Sequence, residues 1–124
     1  MADELTTGHS LQVQNGSLKH SVTSNSQKWN QGTAMVHDEV KDIGTTEETL
    51  SWGDIAAATQ GLCYIQNLDA TNFVDFGPDS SGLVGAIRVP ASKTVGPFLL
   101  KPSATYKAQA DTASCKVRFV VYST

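Results

Sequence analysis

The chain has 124 residues, a formal net charge of −3, and 40% hydrophobic but only 17% charged residues. This length fits one domain that buries its own core without a metal or a disulfide. The nine Lys and Arg residues are scattered with no two adjacent, which disfavours nucleic-acid binding, and no apolar run is long enough to span a membrane.

The N-terminal region predicts a short arm followed by a β-hairpin. Residues 1–8 are polar and lack the apolar stretch of a signal peptide, so we expect synthesis in the cytosol and an arm that is flexible or bound to a partner. A single domain is then expected over residues 9–124. Leu11 and Val13 alternate with glutamines, and Asn15-Gly16 is a strong hairpin signal. The first hairpin is therefore predicted over residues 9–15 and 17–23.

The rest of the chain predicts short strands separated by turns. These strands cover residues 34–40, 47–52, 62–66, 72–76, 83–89, 95–100, 104–108 and 115–122. Residues 54–60 favour one helical turn with Asp54 as its N-cap, or a loop packed on the sheet. Pro97 indicates an edge strand or a bulge. The regular spacing of strands and turns predicts an all-β fold: a single-domain antiparallel β-sandwich, jelly-roll-like in its order.

Two of these segments have patterns that predict more detail. Residues 61–77 place two runs of β-forming residues on either side of a polar turn, which predicts a second hairpin. The last strand alternates clearly. Its core-facing side chains are expected to be Cys115, Val117, Phe119 and Val121, and its outward side chains Lys116, Arg118, Val120 and Tyr122.

Few side chains have the spacing of a metal site. His37 and Glu39 would share one face of a strand and could form half of such a site, although a solvated polar strand face is by far the commoner reason for such a pattern. Asp69, Asp75 and Asp79 could hold calcium at turns, but Asp in a turn usually bonds its own backbone. We therefore expect no metal ion and no cofactor.

No arrangement of residues nominates a catalytic site. The chain has neither a G-x-S-x-G elbow nor a glycine-rich phosphate loop, so an enzyme is not expected. Trp29, Trp52 or Tyr64 could stack on sugars, or could fill the core or an interface. Cys63 and Cys115 are expected to be buried thiols, with a bridge between two strands as the alternative.

Several segments resemble small virion proteins encoded by tailed bacteriophages. The similarity lies in residues 43–54 (IGTTEETLSWGD), residues 65–74 (IQNLDATNFV), residues 99–103 (LLKPS) and residues 105–112 (TYKAQADT). It covers roughly residues 43–122. Ser103 stands where the group often has Gly, and the segment from residue 84 to 93 is longer than usual.

The resemblance implies a structural virion protein with no catalytic residues. The leading expectation is a capsid cement or decoration protein that forms a homo-oligomer and binds the major capsid protein or other virion proteins. The alternatives are a neck, collar or tail adaptor that holds fibres, and a host-surface carbohydrate-binding module. The expected location is the virion, after synthesis in the host cytoplasm, with neither nucleic acid nor membrane as a partner.

Overall fold

The computed structural model describes residues 4–124, and contacts group the chain into two compact units that divide between Gly32 and Thr33. Both units are built from antiparallel strands, which confirms the all-β prediction. The division differs from the predicted boundary after residue 8, because residues 5–29 pair among themselves. Residues 1–3 of the predicted arm lie outside the described residues.

The N-terminal unit is an interrupted two-stranded ribbon. Its strands are β1 (Leu5–Thr7), β2 (Ser10–Asn15), β3 (Leu18–Thr23) and β4 (Gln27–Trp29). β1 pairs with β4, and β2 pairs with β3 in the hairpin that the sequence predicted. Gly16 begins the two-residue turn with φ +57°, a conformation that glycine adopts without strain.

The C-terminal unit is a sandwich of two four-stranded sheets. Its strands are β5 (Val36–Ile43), β6 (Glu48–Thr49), β7 (Gln60–Asn67), β8 (Val74–Pro78), β9 (Ile87–Val89), β10 (Thr94–Leu99), β11 (Tyr106–Ala110) and β12 (Cys115–Ser123). One sheet, called here the β12 sheet, has the order β10-β7-β12-β5, and the other, the β11 sheet, has the order β6-β11-β8-β9. The pairing is nested: β5 pairs with β12, β6 with β11, β7 with β10 and β8 with β9.

The hydrophobic core lies between these two sheets. Val117, Phe119 and Val121 of β12 are at most 1% exposed, as their predicted facing requires. Phe119 meets Phe76 of the opposite sheet with ring centroids 6.5 Å apart, and Phe76 stacks on Tyr106 at 5.3 Å. Large aromatic side chains from both sheets therefore pack against one another and fill the space between the sheets.

The predicted hairpin over residues 61–77 is wrong. Its two strands form, but β7 lies in the β12 sheet and β8 lies in the β11 sheet. Both edges of β7 are occupied by β10 and β12, so none is left for β8. Asn67 instead anchors the crossing, because its amide donates to the carbonyls of Asn72 and Val89 at 2.9 and 3.1 Å.

Three local predictions have mixed outcomes. The helical turn forms as a 3-10 helix (Ala57–Thr59), but its N-cap is Ala56 with no side-chain cap, so the Asp54 prediction is wrong. β10 is an edge strand whose register shifts between Val95 and Phe98, which confirms the expectation for Pro97. The strand predicted over residues 83–89 shortens to β9, because residues 83–86 form only a single bridge, between Leu83 and Asp79, before the chain turns.

Candidate interaction surfaces

The β2–β3 hairpin has one apolar face that is open to solvent. Leu11 pairs with Val22, Val13 with His20 and Asn15 with Leu18, so these side chains share one face. Ser, Gln, Thr and Lys side chains form the other face. The exposed fractions of Leu11, Val13, Leu18 and Val22 are 74%, 41%, 57% and 54%. We call these four side chains, together with His20, the hairpin face.

No part of residues 4–32 covers the hairpin face. Every residue of β2 and β3 is exposed. An isolated two-stranded hairpin is at best marginally stable in water, and a third strand or a packing partner is normally needed. A contiguous exposed apolar surface of this kind is typical of interaction sites.

A second surface is the outer face of the β12 sheet. Tyr64 of β7 and Tyr122 of β12 are half-buried there, and Val36 and Val40 of β5 are 57% and 52% exposed. Leu99 of β10 is 53% exposed on the same face. Aromatic and aliphatic side chains beside an arginine are the composition found where protein interfaces bind most tightly.

The charges on this outer face are paired within the chain. Arg118 donates two hydrogen bonds to Asp38, at 2.9 and 2.7 Å, and the Lys116 ammonium lies 3.2 Å from Asp42. The hydrogen bonds from Arg118 lower the pKa of the Asp38 carboxyl below its ordinary value, and the same bonds raise the pKa of Arg118. Because both pairs are solvent-exposed, they add little stability, but they leave the face without a net charge.

His37 and Glu39 lie together as expected, but no third ligand joins them. His37 Nε2 is 3.0 Å from a Glu39 carboxylate oxygen, in an orientation that makes no hydrogen bond. The His37 ring contacts Trp52 edge-on with centroids 6.2 Å apart, beside an open cleft. Throughout residues 4–124 no three His, Cys, Asp or Glu side chains form a group able to hold a metal ion.

The three aspartates proposed for calcium lie apart, and each has its own partner. Asp69 accepts hydrogen bonds from the amides of Asn72 and Thr71 at 2.7 and 3.0 Å, and these bonds lower the pKa of its carboxyl. Asp75 pairs with Arg88 at 2.9 Å, and Asp79 accepts from the Gly82 amide at 2.9 Å. All three carboxyls therefore shape turns or strand pairs.

The aromatic side chains proposed for sugar stacking have different surroundings. Trp52 is only 5% exposed and donates its indole N–H to Gln60 at 2.8 Å, so it belongs to the core. Trp29 is half-buried and donates to the Thr7 hydroxyl at 3.0 Å. Of the three, Tyr64 alone lies on the outer face of the β12 sheet.

Both cysteines are buried free thiols, as expected. Cys63 lies on β7 and Cys115 at the start of β12, and both are 0% exposed. Burial raises the pKa of the Cys63 thiol to about 12 and also raises the pKa of Cys115. Neither thiol is therefore activated as a nucleophile.

Comparison with protein-family models, curated proteins and solved structures finds no match. Over residues 4–124, no helix has the length and apolar character needed to cross a membrane. The two surfaces are therefore the features from which a function can be inferred. The sequence predicted the outward side chains of β12 but did not show that Val36 and Val40 of β5 share their face. The alternation of Val36 and Val40 with polar residues was the available signal.

Proposed function

We propose that this chain is a structural virion protein of a tailed bacteriophage, and specifically a capsid cement or decoration protein without catalytic activity. The observation that carries the proposal is the hairpin face, an apolar surface on a unit without a core of its own. The resemblance over residues 43–122 supplies the setting. The nested pairing of the eight sandwich strands is the order expected of a jelly roll, which supports that part of the expectation.

The charge distribution favours a protein partner for the N-terminal unit. Residues 5–32 contain Lys19 and Lys28 but no acidic residue, whereas residues 33–124 contain seven Lys or Arg and ten Asp or Glu. A hairpin that has an apolar face, no acidic side chain and two strand edges that no other described strand pairs suits the surface and strand edges of a shell subunit such as the major capsid protein. The acidic sandwich would face away from DNA, so no nucleic-acid contact is proposed.

The mechanism would be stabilisation by mass action. A protein that binds the assembled shell, and not its free subunits, shifts the equilibrium toward the assembled state. Many copies per particle are then required, because each copy stabilises only the subunits that it touches.

The test is binding of variants to isolated phage heads that have been stripped of the protein. Leu11→Ser with Val22→Ser removes one cross-strand pair of the hairpin face. Burial of two such side chains contributes about 3 kcal/mol, so affinity should fall about 100-fold. Gln12→Ala with Ser21→Ala changes the neighbouring pair on the polar face and should bind as the parent does.

Two results would contradict the proposal. One is equal binding of both double variants to the heads. The other is a virion gel that shows only a handful of copies per particle, which would favour the neck, collar or tail adaptor. Labelled protein seen at the tail vertex would support that second candidate. Trp52 is buried and cannot stack on a sugar, which weakens the case for a carbohydrate-binding module. A glycan array without hits would exclude that candidate.

A further inference from the structure

The sandwich unit has four sheet edges, and three of them are poorly suited to pairing with another strand. The edge strands of the β11 sheet are β6 and β9, which have two and three residues. β10 ends one side of the β12 sheet and is interrupted by its register shift and Pro97. Short, bulged or proline-containing edges are how proteins prevent edge-to-edge association.

β5 is the exception among these edges. It has eight residues, pairs with β12 over its whole length without a register shift, and has no second strand partner within residues 4–124. Val36 and Val40 are both more than half exposed. A long unbroken edge strand presents a row of backbone donors and acceptors to any strand that approaches.

Lys41 is the unpaired charge on this edge. Asp38 is paired with Arg118 and Asp42 with Lys116, whereas Glu39 lies only beside His37. Lys41 has no ion-pair partner among the described residues. Among the described residues, this edge therefore carries the Lys41 ammonium without an ion-pair partner, two positions from the Glu39 carboxylate. The ion-pair partner of Glu39 is His37, which is charged only when it is protonated.

We propose that two copies of the chain pair through β5, antiparallel, with Val40 on the two-fold axis, so that two β12 sheets join into one of eight strands. Two copies that continue one sheet must pair residues pointing to the same face. An axis at Asp38, Glu39, Lys41 or Asp42 would place that charge opposite itself. An axis at Val40 places the two Val40 side chains opposite each other at the centre. It also places Glu39 of each copy opposite Lys41 of the other copy, which gives two attractive charge pairs.

This register also opposes Asp38 to Asp42 of the second copy, and the cationic partner of each carboxylate offsets that repulsion. The inference rests on the expectation, drawn from the resemblance, that a capsid cement protein forms a homo-oligomer, and it names the surface through which copies would associate. Its tests use the purified protein alone. A protein that stays monomeric in solution but binds stripped heads would therefore refute this dimer without refuting the proposed function. A dimer that does not bind stripped heads would do the reverse.

The first test is oxidative cross-linking of single-cysteine additions at two equally exposed positions of β5. Directly opposed residues of an antiparallel pair have Cα atoms about 4.5–5.5 Å apart, within disulfide range, so Val40→Cys should give a covalent dimer. The two copies of residue 36 would lie roughly 27 Å apart in this register, so Val36→Cys should give no covalent dimer. Cys63 and Cys115 are buried and should give little background. Equal cross-linking of both variants, or of neither, would overturn the register.

The second test is a charge exchange followed by sedimentation over a range of protein concentrations. Glu39→Lys and Lys41→Glu should each weaken dimerisation about tenfold, because each creates two like-charge pairs. The double variant E39K/K41E restores both attractions and should dimerise as the parent does. A parent protein that remains monomeric at every concentration, or singles that match the double variant, would refute the proposal.

Discussion

At the scale of single residues, buried amides hold together the loops that join the two sheets. Gln60 is 1% exposed; it accepts the Trp52 indole N–H and donates to the carbonyls of Lys101 and Ala104 at 2.7 and 2.8 Å. At the crossing between β7 and β8, the Asn67 side chain likewise donates to two backbone carbonyls and accepts from the Asp69 amide. Such polar groups are tolerated in a core because each of their hydrogen bonds is made.

Replacing Gln60 with leucine should therefore be strongly destabilising. Leucine keeps most of the volume but leaves an indole N–H and two carbonyls without partners, so we expect a loss of about 3 kcal/mol in the free energy of unfolding. Urea denaturation measures the change. Gln66→Leu on the same strand is the matched control, because Gln66 points to the outer face and should change stability by less than about 0.5 kcal/mol. Equal effects of the two variants would show that the Gln60 hydrogen bonds contribute little.

At the scale of strands, β12 and the β2–β3 hairpin are opposite extremes. β12 pairs on both sides, with β5 and with β7, and five of its nine residues are apolar and buried. Within residues 4–124, β2 and β3 pair only with each other, and both are exposed throughout. The stable element organises the sandwich, whereas the exposed one is available to a partner.

Hydrogen exchange should separate these elements in the free protein. Amides of β12 should exchange slowest, because they open only when the sandwich unfolds, and amides of β2 and β3 should exchange fastest among the strands, because fraying of the hairpin exposes them. Mass spectrometry of peptides from the two segments provides the comparison. Protection of the hairpin equal to that of β12 in the free protein would mean that the hairpin is already covered.

At the scale of the whole molecule, the core belongs to one unit. All residues of the hydrophobic cluster lie between Met35 and Val121, and none comes from residues 4–32. The sandwich unit is therefore large enough to fold around its own core, whereas the N-terminal unit is below the size at which chains usually fold without help. Under the proposed function, attachment to the shell and folding around a core would belong to different units.

Removing residues 1–32 should leave the sandwich folded. We expect residues 33–124 to keep a cooperative thermal transition within a few degrees of that of the full chain, since no core residue is lost. Circular dichroism during heating tests this. The truncated protein should nevertheless fail to bind stripped heads under the proposed function. Loss of the cooperative transition would show that the N-terminal strands support the sandwich.

Most strand positions could be predicted because they depend on local alternation. Alternation predicted both the facing of β12 and the β2–β3 hairpin, and Pro97 correctly indicated that β10 is an edge strand. The hairpin over residues 61–77 failed because a polar turn such as Asn67–Asn72 satisfies its own backbone whether the chain doubles back in one sheet or crosses to the other. The interaction surfaces were only half predictable: the hairpin face follows from alternation, but the exposed edge of β5 does not.

The sequence by itself therefore determined the class of fold, the inward-facing residues of the longest strand, and the burial of both cysteines. These depend on the preferences of neighbouring residues and on the low cost of burying a small thiol. Only the tertiary structure decided which strands became neighbours, that Trp52 is core, and that β5 ends a sheet with Lys41 unpaired. Strand pairing joins residues far apart in the chain, such as Val40 and Arg118, and no local pattern specifies it.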